Sequence, residues 1–186
     1  MLLVIAAIVC VATVPLFGGR LTRLTELNIR AVWAALAAAG LQVWITQAPH
    51  GSHELHVVMH LASYALVAYF LAANRSLPGM PVLALGAALN ILAIASNGGV
   101  MPASASALRI AGIEVTDGFA NSAAVTHPHL LWLGDVIPVP GPWPIGNVLS
   151  VGDLLIYAGA LVLLHRTTRI APTPWSMASS HPATRH

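Results

Sequence analysis

Two aspartates are the residues of this chain whose type and surroundings most directly suggest chemistry. Asp135 ends the segment Leu130–Asp135, and Asp153 lies within a long apolar run. A carboxylate inside an apolar helix is costly to bury, so such a group marks a candidate functional site. We therefore predict Asp135 and Asp153 as candidate catalytic residues, which would have to share a proton to act as an aspartic pair. The alternative is that Asp153 forms a structural hydrogen bond between helices.

Histidines form a second group with possible chemistry, at the start of another apolar run. His53, His56 and His60 are spaced i, i+3 and i+7, which places them on one face of a helix. Imidazoles on one face can bind a transition metal or a haem, but a site needs three or four converging ligands. His127 and His129 could complete such a set, although nothing in the spacing requires it. We predict no metal and no cofactor, with His53, His56 and His60 as the candidate ligands to examine.

Amide and hydroxyl side chains in the apolar runs are expected to join these groups in one polar pocket. Asn90 and Asn97 are spaced i and i+7, so they share a helical face. Tyr157 lies one turn beyond Asp153 and could donate a hydrogen bond to it. The predicted binding pocket comprises His56, His60, Asn90, Asn97, Asn121, Asn147 and Tyr157.

The composition indicates which elements must position these residues. Hydrophobic residues make up 57% of the chain and charged residues 8%. Several apolar runs approach the roughly 20 residues that a helix needs to cross a bilayer core. We therefore predict an all-α polytopic membrane protein with five transmembrane helices, in a single domain over 1–169. The predicted spans are about 1–17, 31–47, 54–73, 81–101 and 145–165.

The arginines predict an orientation for these spans. Cytoplasmic loops of membrane proteins carry an excess of basic residues, and an outside N-terminus leaves only Arg109 on the outer side. The arginines then expected inside are Arg20, Arg23, Arg30, Arg75, Arg166, Arg169 and Arg185. This predicts a location in the cell (inner or plasma) membrane, with the lipid bilayer and a protein in the same membrane as partners. A nucleic-acid-binding face would need clustered basic residues, which the sequence does not have.

Two segments outside the spans have a character of their own. Residues 103–143 are too long for a simple turn and too apolar for disorder, so they predict an extracytoplasmic cap between helices 4 and 5. Within the cap, Leu108–Val115 alternates weakly, which predicts a short strand or an interfacial segment. Residues 170–186 are rich in Pro, Ser and Thr and predict a disordered cytoplasmic tail.

A set of asparagine- and glycine-containing motifs resembles a known family. The chain is similar to an uncharacterised domain-of-unknown-function family of small multi-pass bacterial membrane proteins. The resemblance covers most of the chain apart from the tail, and it implies a membrane location and no assigned activity. The motifs that carry it are Asn74, Asn90, Asn97–Pro102, Asn121, Leu133–Asp135 and the pattern Asn147, Ser150, Gly152, Asp153.

A second, partial resemblance concerns the last two predicted helices. Gly86–Ala93 and Pro144–Ser150 are similar in shape to the aspartate motifs of lipoprotein signal peptidases, which are intramembrane aspartic proteases. In that alignment Ala93 and Ser150 occupy the two aspartate positions. The family's mechanism would therefore require Asp135 and Asp153 to serve instead.

Three functions remain open on the sequence alone. The first is a non-enzymatic accessory, scaffold, or lipid- or ligand-binding role built on an extracytoplasmic polar pocket. The second is an intramembrane aspartic-type hydrolase acting on a lipid-linked or peptide substrate. The third is a metal- or haem-binding redox subunit. Transport is disfavoured because the sequence lacks paired broken helices in an inverted repeat.

Overall fold

The computed structural model describes residues 2–47, 53–113, 122–123, 127–141 and 146–169. These residues form α-helices α1 (Leu2–Leu16), α2 (Val32–Gln47), α3 (His53–Ala73), α4 (Met80–Ser96), α5 (Ala105–Ala111) and α6 (Val151–Thr168). They also form 3₁₀ helices at Leu21–Glu26 and Leu131–Leu133 and strands β1 (Met101–Pro102), β2 (Ser122–Ala123), β3 (Ile137–Val139) and β4 (Asn147–Leu149). β1 pairs with β2 in parallel, and β3 pairs with β4 antiparallel.

The prediction of five transmembrane helices is wrong. Among the described residues, no helix combines the length and the apolar character that crossing a membrane requires. α1, α2 and α4 contain 15, 16 and 17 residues. At about 1.5 Å per residue these helices are shorter than the roughly 30 Å hydrocarbon core of a bilayer.

The two longer helices lose apolar length to polar residues at their ends. α6 has 18 residues, but Asp153 lies in its first turn and His165 and Arg166 in its last. α3 has 21 residues and opens with the histidine-rich sequence His-Glu-Leu-His. The segments 1–17, 31–47, 54–73, 81–101 and 145–165 are therefore not spans, and the polytopic topology with an outside N-terminus and an extracytoplasmic cap is corrected with them.

α4 and α6 pack antiparallel along a seam of glycines. A Cβ on Gly86 would lie 2.5 Å from the carbonyl oxygen of Gly152, and one on Gly159 would lie 2.7 Å from the amide nitrogen of Leu83. A Cβ on Gly79 would collide with the carbonyl oxygen of Gly159. Because only hydrogen fits at these positions, the two backbones approach closely, as small residues allow between helices.

α2 and α3 form a second packed pair, joined by polar side chains. Gln42 on α2 donates from Nε2 to Ser63 Oγ on α3 at 2.6 Å, and Ser63 Oγ donates to the carbonyl of His60 at 2.8 Å. Ser63 is fully buried, so its hydroxyl is satisfied inside the contact, as buried polar groups generally are.

α1 lies against α6. Thr13 Oγ1 on α1 is 3.0 Å from His165 Nε2 on α6, and the ring of Phe17 meets the His165 imidazole edge-on with centroids 5.5 Å apart. The amide of Arg20, after α1, donates to the carbonyl of Thr168 at 3.0 Å. These contacts tie the beginning of the chain to the end of α6.

The segment between α4 and α6 contains a helix where a strand or an interfacial segment was predicted. Ala105–Ala111 is helical: Ser104 caps its beginning and Gly112, with φ 73°, ends it. The amide of Ile113 donates back to the carbonyl of Leu108 at 3.0 Å, a hydrogen bond typical of glycine-terminated helices. The buried side chains of Ala103, Ala107, Leu108, Ala111 and Val148 pack α5 against β4.

Candidate functional site

The start of α6 positions the first two residues of the candidate site. Ser150 is the N-cap, and Asp153 is the third residue of the helix. Ser150 Oγ accepts from the amide of Asp153 at 3.0 Å, and Asp153 Oδ2 accepts from the amide of Ser150 at 2.9 Å. This reciprocal pair is a capping box, which satisfies amides that a helix start leaves without partners. A carboxylate there also interacts favourably with the helix dipole.

Asn90, reaching across from α4, completes a cluster of three side chains. Ser150 Oγ donates to Asn90 Oδ1 at 2.8 Å, and Asn90 Nδ2 donates to Asp153 Oδ1 at 2.9 Å. Ser150 is fully buried, whereas Asn90 and Asp153 are half-buried. We call Asn90, Ser150 and Asp153 the Asn90 cluster. Each carboxylate oxygen of Asp153 accepts a hydrogen bond from the protein itself.

The glycine seam makes room for the Asn90 cluster. Gly152 lies between Ser150 and Asp153, and a Cβ there would collide with Asn90 Oδ1. The Asn90 amide can therefore reach the beginning of α6 because position 152 carries no side chain. The close helix contact and the polar cluster depend on the same glycine.

Tyr157 lies one turn beyond Asp153, and its hydroxyl is buried. The Tyr157 Oη atom is buried and has no hydrogen-bond partner among the described residues. Burial raises the pKa of Tyr157 above its ordinary value of 10.0, and the negative charge of Asp153 and then the thiol of Cys10 add to that increase. The predicted hydrogen bond from Tyr157 to Asp153 is therefore not formed.

Asp135 is buried in the segment that precedes β3. Its amide donates to the carbonyl of Pro102 at 2.9 Å, and its carbonyl accepts from the amide of Ser104 at 3.0 Å. Asp135 is 7% exposed and takes part in a further interaction beyond these backbone hydrogen bonds. The next amide, that of Val136, donates to the carbonyl of Leu149 at 3.2 Å. The backbones that lead to Asp135 and to Ser150 therefore run side by side.

Two predicted pocket asparagines bind backbone groups elsewhere. Asn97 Nδ2 donates to the carbonyl of His129 at 2.8 Å, and Asn97 Oδ1 accepts from the amide of His129 at 2.8 Å. Asn147 Oδ1 accepts from the amide of Val148, its own neighbour, at 2.8 Å. Neither side chain amide is hydrogen bonded to the Asn90 cluster.

The histidine part of the predicted pocket lies on the other helix pair. His60 Nδ1 is 3.5 Å from Gln42 Nε2, and its ring is tilted against that of Tyr64 with centroids 5.9 Å apart. Burial raises the pKa of Tyr64 above its ordinary value of 10.0. The side chains of His53 and His56, and Asn121 as a whole, lie outside the described residues.

No arrangement suited to a metal ion is found in the described part of the chain. There, no three side chains of His, Cys, Asp or Glu are grouped so that they could hold one. His127 and His129, the candidates to complete a histidine set, are both exposed. The amide and carbonyl of His129 are bound by Asn97, so the structure links this residue to α4 through its backbone.

Sequence reasoning missed Ser150 as a hydrogen-bonding residue, together with Gln42, Ser63 and the glycine seam. The signal for Ser150 was available, because a serine followed three residues later by an acid before an apolar run is typical of a helix start. The seam had a signal too: Gly79 and Gly86 repeat at i and i+7, as do Gly152 and Gly159. Ser63 lies three residues after His60, which places it on the polar face of that helix. No comparable pattern marked Gln42.

The arrangement is suited to holding helices together. Asp153 is engaged by Ser150 and Asn90, and the Ser150 hydroxyl is buried and engaged in both directions. A general acid or base must lie within hydrogen-bond reach of a substrate proton. In the Asn90 cluster both Asp153 oxygens and the Ser150 hydroxyl already have protein partners.

Comparison with known proteins places the chain in a family. Residues 26–165 match a family of unknown function, DUF5317. An uncharacterized protein of Thermotoga maritima is 31% identical over 112 residues, which is 60% of this chain and 66% of that protein. The match thus spans just under two thirds of the relative's length, and no solved structure matches the chain. The resemblance to an uncharacterised family is confirmed: the chain belongs to the DUF5317 family.

Proposed function

We propose that this chain is a non-catalytic accessory or scaffold protein with a ligand-binding role, in which the Asn90 cluster fixes α4 to α6. The observation that carries the proposal is that both carboxylate oxygens of Asp153 are hydrogen bonded within the protein. Its Oδ1 accepts from Asn90 and its Oδ2 accepts from the amide of Ser150. Hydrogen bonds to charged groups are worth about 1.5–3 kcal/mol each, so this carboxylate contributes substantially to the helix contact.

The hydrolase and redox alternatives stay predictions, and the geometry gives them less support. An aspartic pair needs two carboxylates that share a proton and act on a substrate. Asp153 is already engaged on both oxygens, and Ser150, at one of the peptidase-like aspartate positions, is fully buried. Ala93, at the other position, is fully buried as well. A redox subunit would need a ligand set, and the described residues hold no group of three His, Cys, Asp or Glu side chains that could bind a metal ion.

The surface supports an apolar contact partner for this accessory role. Large apolar side chains are strongly exposed on several helices; they include Ile8 at 61%, Trp33 at 62%, Leu36 at 68% and Leu61 at 62%. Extensive exposed apolar surface marks sites of interaction with proteins or lipids. The lipid bilayer, a protein partner and the cell membrane as location stay predictions, as does the absence of a nucleic-acid partner.

A product analysis tests the proposed role directly. Purified protein is incubated with an acylated peptide and with a phospholipid, and products are identified by mass spectrometry. Asp153→Asn, Asp135→Asn and the surface control Glu26→Gln are run beside the natural sequence. We expect no product that depends on either aspartate. A product formed by the natural sequence and by Glu26→Gln, but lost in both aspartate variants, would overturn the non-catalytic role.

A further inference from the structure

An apolar groove of about 300 Å³ lies between α3 and α4. α3 contributes Val67, Ala68 and Leu71 to its walls, and α4 contributes Ala84, Ala88 and Ile91. Small-molecule sites in proteins have volumes from about 300 Å³ upward and are lined mainly by apolar side chains. The alanines keep the groove wide enough for an unbranched chain to lie along it.

The groove stays open because the neighbouring helices pack elsewhere. α3 contacts α2 through the hydrogen bond between Ser63 and Gln42. α4 contacts α6 along the glycine seam, where Gly86 lies against Gly152. On α4 the lining residues Ala84 and Ala88 lie away from Gly86. On α3 the lining residues Ala68 and Ala72 lie away from Ser63, so part of the apolar surface of each helix is left for another occupant.

A single cation marks one end of the groove. Arg75 is the only charged side chain among the described residues that line it. It is exposed, and within the described part of the chain its guanidinium makes no hydrogen bond or ion pair. Arginine presents several donors in a planar fork that matches carboxylate and phosphate groups.

The position of Arg75 is fixed by its neighbour in the chain. Asn74 is 2% exposed, and its Nδ2 donates to the carbonyls of Phe70 and Arg30, each at 2.8 Å. Asn74 Oδ1 accepts from the amide of Arg30 at 2.9 Å. These bonds anchor the turn after α3, so the backbone that carries Arg75 is held at the mouth of the groove, and the side chain lies within reach of it.

We propose that this groove binds a single-chain amphiphile with a carboxylate head group, its chain along α3 and α4 and its head group at Arg75. Apolar walls with the cation of Arg75 at the end complement an apolar chain with one terminal anion. The proposal rests on the non-catalytic, ligand-binding role and names the class of ligand for it. The ligand is held by burial of its chain, with the arginine selecting the head group.

The two interactions predict different dependences of affinity on the ligand. Each methylene buried in an apolar site contributes about 0.8 kcal/mol, which is roughly a fourfold gain in affinity. The affinity should therefore rise steeply with chain length and level off once the chain outgrows the groove. An exposed ion pair contributes little, so loss of the Arg75 charge should weaken binding only about two- to fivefold.

Calorimetric titration of the full chain tests the proposal, with ligands kept below their micelle-forming concentrations. The probes are octanoate, decanoate and dodecanoate, with dodecanol as the uncharged and dodecyltrimethylammonium as the cationic match. Arg75→Gln removes the cation, and Arg109→Gln, an exposed arginine on α5, is its control. Ala88→Leu fills the groove from an exposed position, and Ala158→Leu, an exposed position on α6, is its control.

The expected result is saturable binding of dodecanoate that both control variants retain. Arg75→Gln should bring dodecanoate down to the affinity of dodecanol, and Ala88→Leu should abolish the chain-length dependence. Non-saturable uptake, equal binding of all three head groups, or equal loss in Ala88→Leu and Ala158→Leu would overturn the proposal. Self-association that Ala88→Leu blocks, without dodecanoate binding, would assign the groove to a second copy. Conversion of the bound amphiphile would instead contradict the non-catalytic role.

Discussion

Three asparagines of this chain each use both ends of the side chain amide to hold a distant segment. Asn74 binds the amide and carbonyl of Arg30, and Asn97 binds the amide and carbonyl of His129. Asn90 accepts from Ser150 and donates to Asp153. An amide that imitates a backbone pair in this way gives two hydrogen bonds from one residue. Leucine or alanine at these positions could not replace either bond.

The sequence singled out these asparagines but could not give their partners. Asn74, Asn90 and Asn97 were recognisable as polar residues in apolar surroundings. The groups that Asn74 and Asn97 bind are backbone amides and carbonyls, which every residue carries, so no residue type marks them. The sequence predicts that Asn90 and Asp153 lie close together, because both side chains are expected in one polar site. It does not predict the particular hydrogen bond between them.

Removing the side chain of Asn97 should release the segment that carries His129. In Asn97→Ala the amide and carbonyl of His129 lose their partners, so we expect amides near Leu133 and Gly134 to exchange with solvent about 5- to 30-fold faster, equivalent to roughly 1–2 kcal/mol. Hydrogen exchange measured by mass spectrometry would show this. Ser96→Ala is the neighbouring control, because Ser96 Oγ donates only to Leu92 in its own helix. Equal exchange in the two variants would contradict the anchoring role.

The Tyr157 hydroxyl makes a second prediction, with a dependence on pH. A buried hydroxyl without a partner costs about 1–3 kcal/mol, so Tyr157→Phe should leave the free energy of unfolding unchanged or raise it by about 1 kcal/mol. The folded-state pKa of Tyr157 is raised above its ordinary 10.0. The stabilisation linked to its protonated form is therefore present below pH 10 and is lost as the pH rises through the folded-state pKa.

Urea unfolding of the natural sequence and of Tyr157→Phe between pH 8 and about 11.5 measures both effects, with the pH range chosen around the ordinary tyrosine pKa. The natural sequence should lose more stability over the alkaline part of this range than the variant. A substantial loss of stability in Tyr157→Phe at pH 8 would show that the hydroxyl is hydrogen bonded in the folded protein and would contradict the prediction.

At the scale of the elements, the glycine seam determines how closely α4 and α6 approach. Gly86→Ala places a methyl group 2.5 Å from the carbonyl of Gly152, so the helices must separate. We expect the free energy of unfolding to fall by about 1–3 kcal/mol, the usual cost of overpacking. Gly40→Ala on α2 is the matched control, because nothing lies within 4 Å of its Cβ position.

The control should change stability in the opposite direction. Alanine stabilises a helix interior by about 0.5–1 kcal/mol relative to glycine, so Gly40→Ala should be neutral or stabilising. Thermal unfolding followed by circular dichroism distinguishes the two variants. A Gly86→Ala protein at least as stable as Gly40→Ala would contradict the close contact between α4 and α6.

Element boundaries were predictable to the extent that local chemistry marks them. The apolar runs indicated where helices form, and Gly79 followed by Met80 and Pro81 marks the start of α4. α5 has seven residues, which is only about two turns, so the helical repeat of apolar residues is too short to recognise in the sequence. Ser104 and Gly112 nevertheless mark its two ends. The pairing of β1 with β2 joins segments far apart in the chain, and no local pattern indicates it.

At the scale of the whole molecule, the prediction of a five-span membrane protein failed on length and on polar ends. Four of the five helices are shorter than the predicted spans, and α3, which reaches the predicted length, begins with polar residues. The run expected to end at residue 101 contains a helix that ends at Ser96, and the run expected to begin at residue 145 contains one that begins at Val151. High apolar content therefore did not translate into spans of sufficient length.

The contact between α4 and α6 connects the other parts of the structure. α1 packs on α6, and the segment that follows α4 folds back onto α4. The core around Ala93, Met101 and Leu133 connects that segment to α4. The Asn90 cluster lies where these parts meet. We call the Asn90 cluster a structural lock because its hydrogen bonds hold α4 against α6. The stabilisation that it gives should depend on the pattern of donors and acceptors and not on which residue carries the charge.

The most direct test of this claim is a double-mutant cycle of Asn90→Asp and Asp153→Asn, measured by urea unfolding at pH 7. Asp153→Asn turns an amide donor toward the Asn90 amide, and Asn90→Asp turns a carboxylate toward Asp153. We expect each single change to lower the free energy of unfolding by about 2–3 kcal/mol. The exchange of both residues restores a donor for every acceptor, so the double variant should recover most of the stability of the natural sequence. Losses that simply add in the double variant would contradict the structural lock.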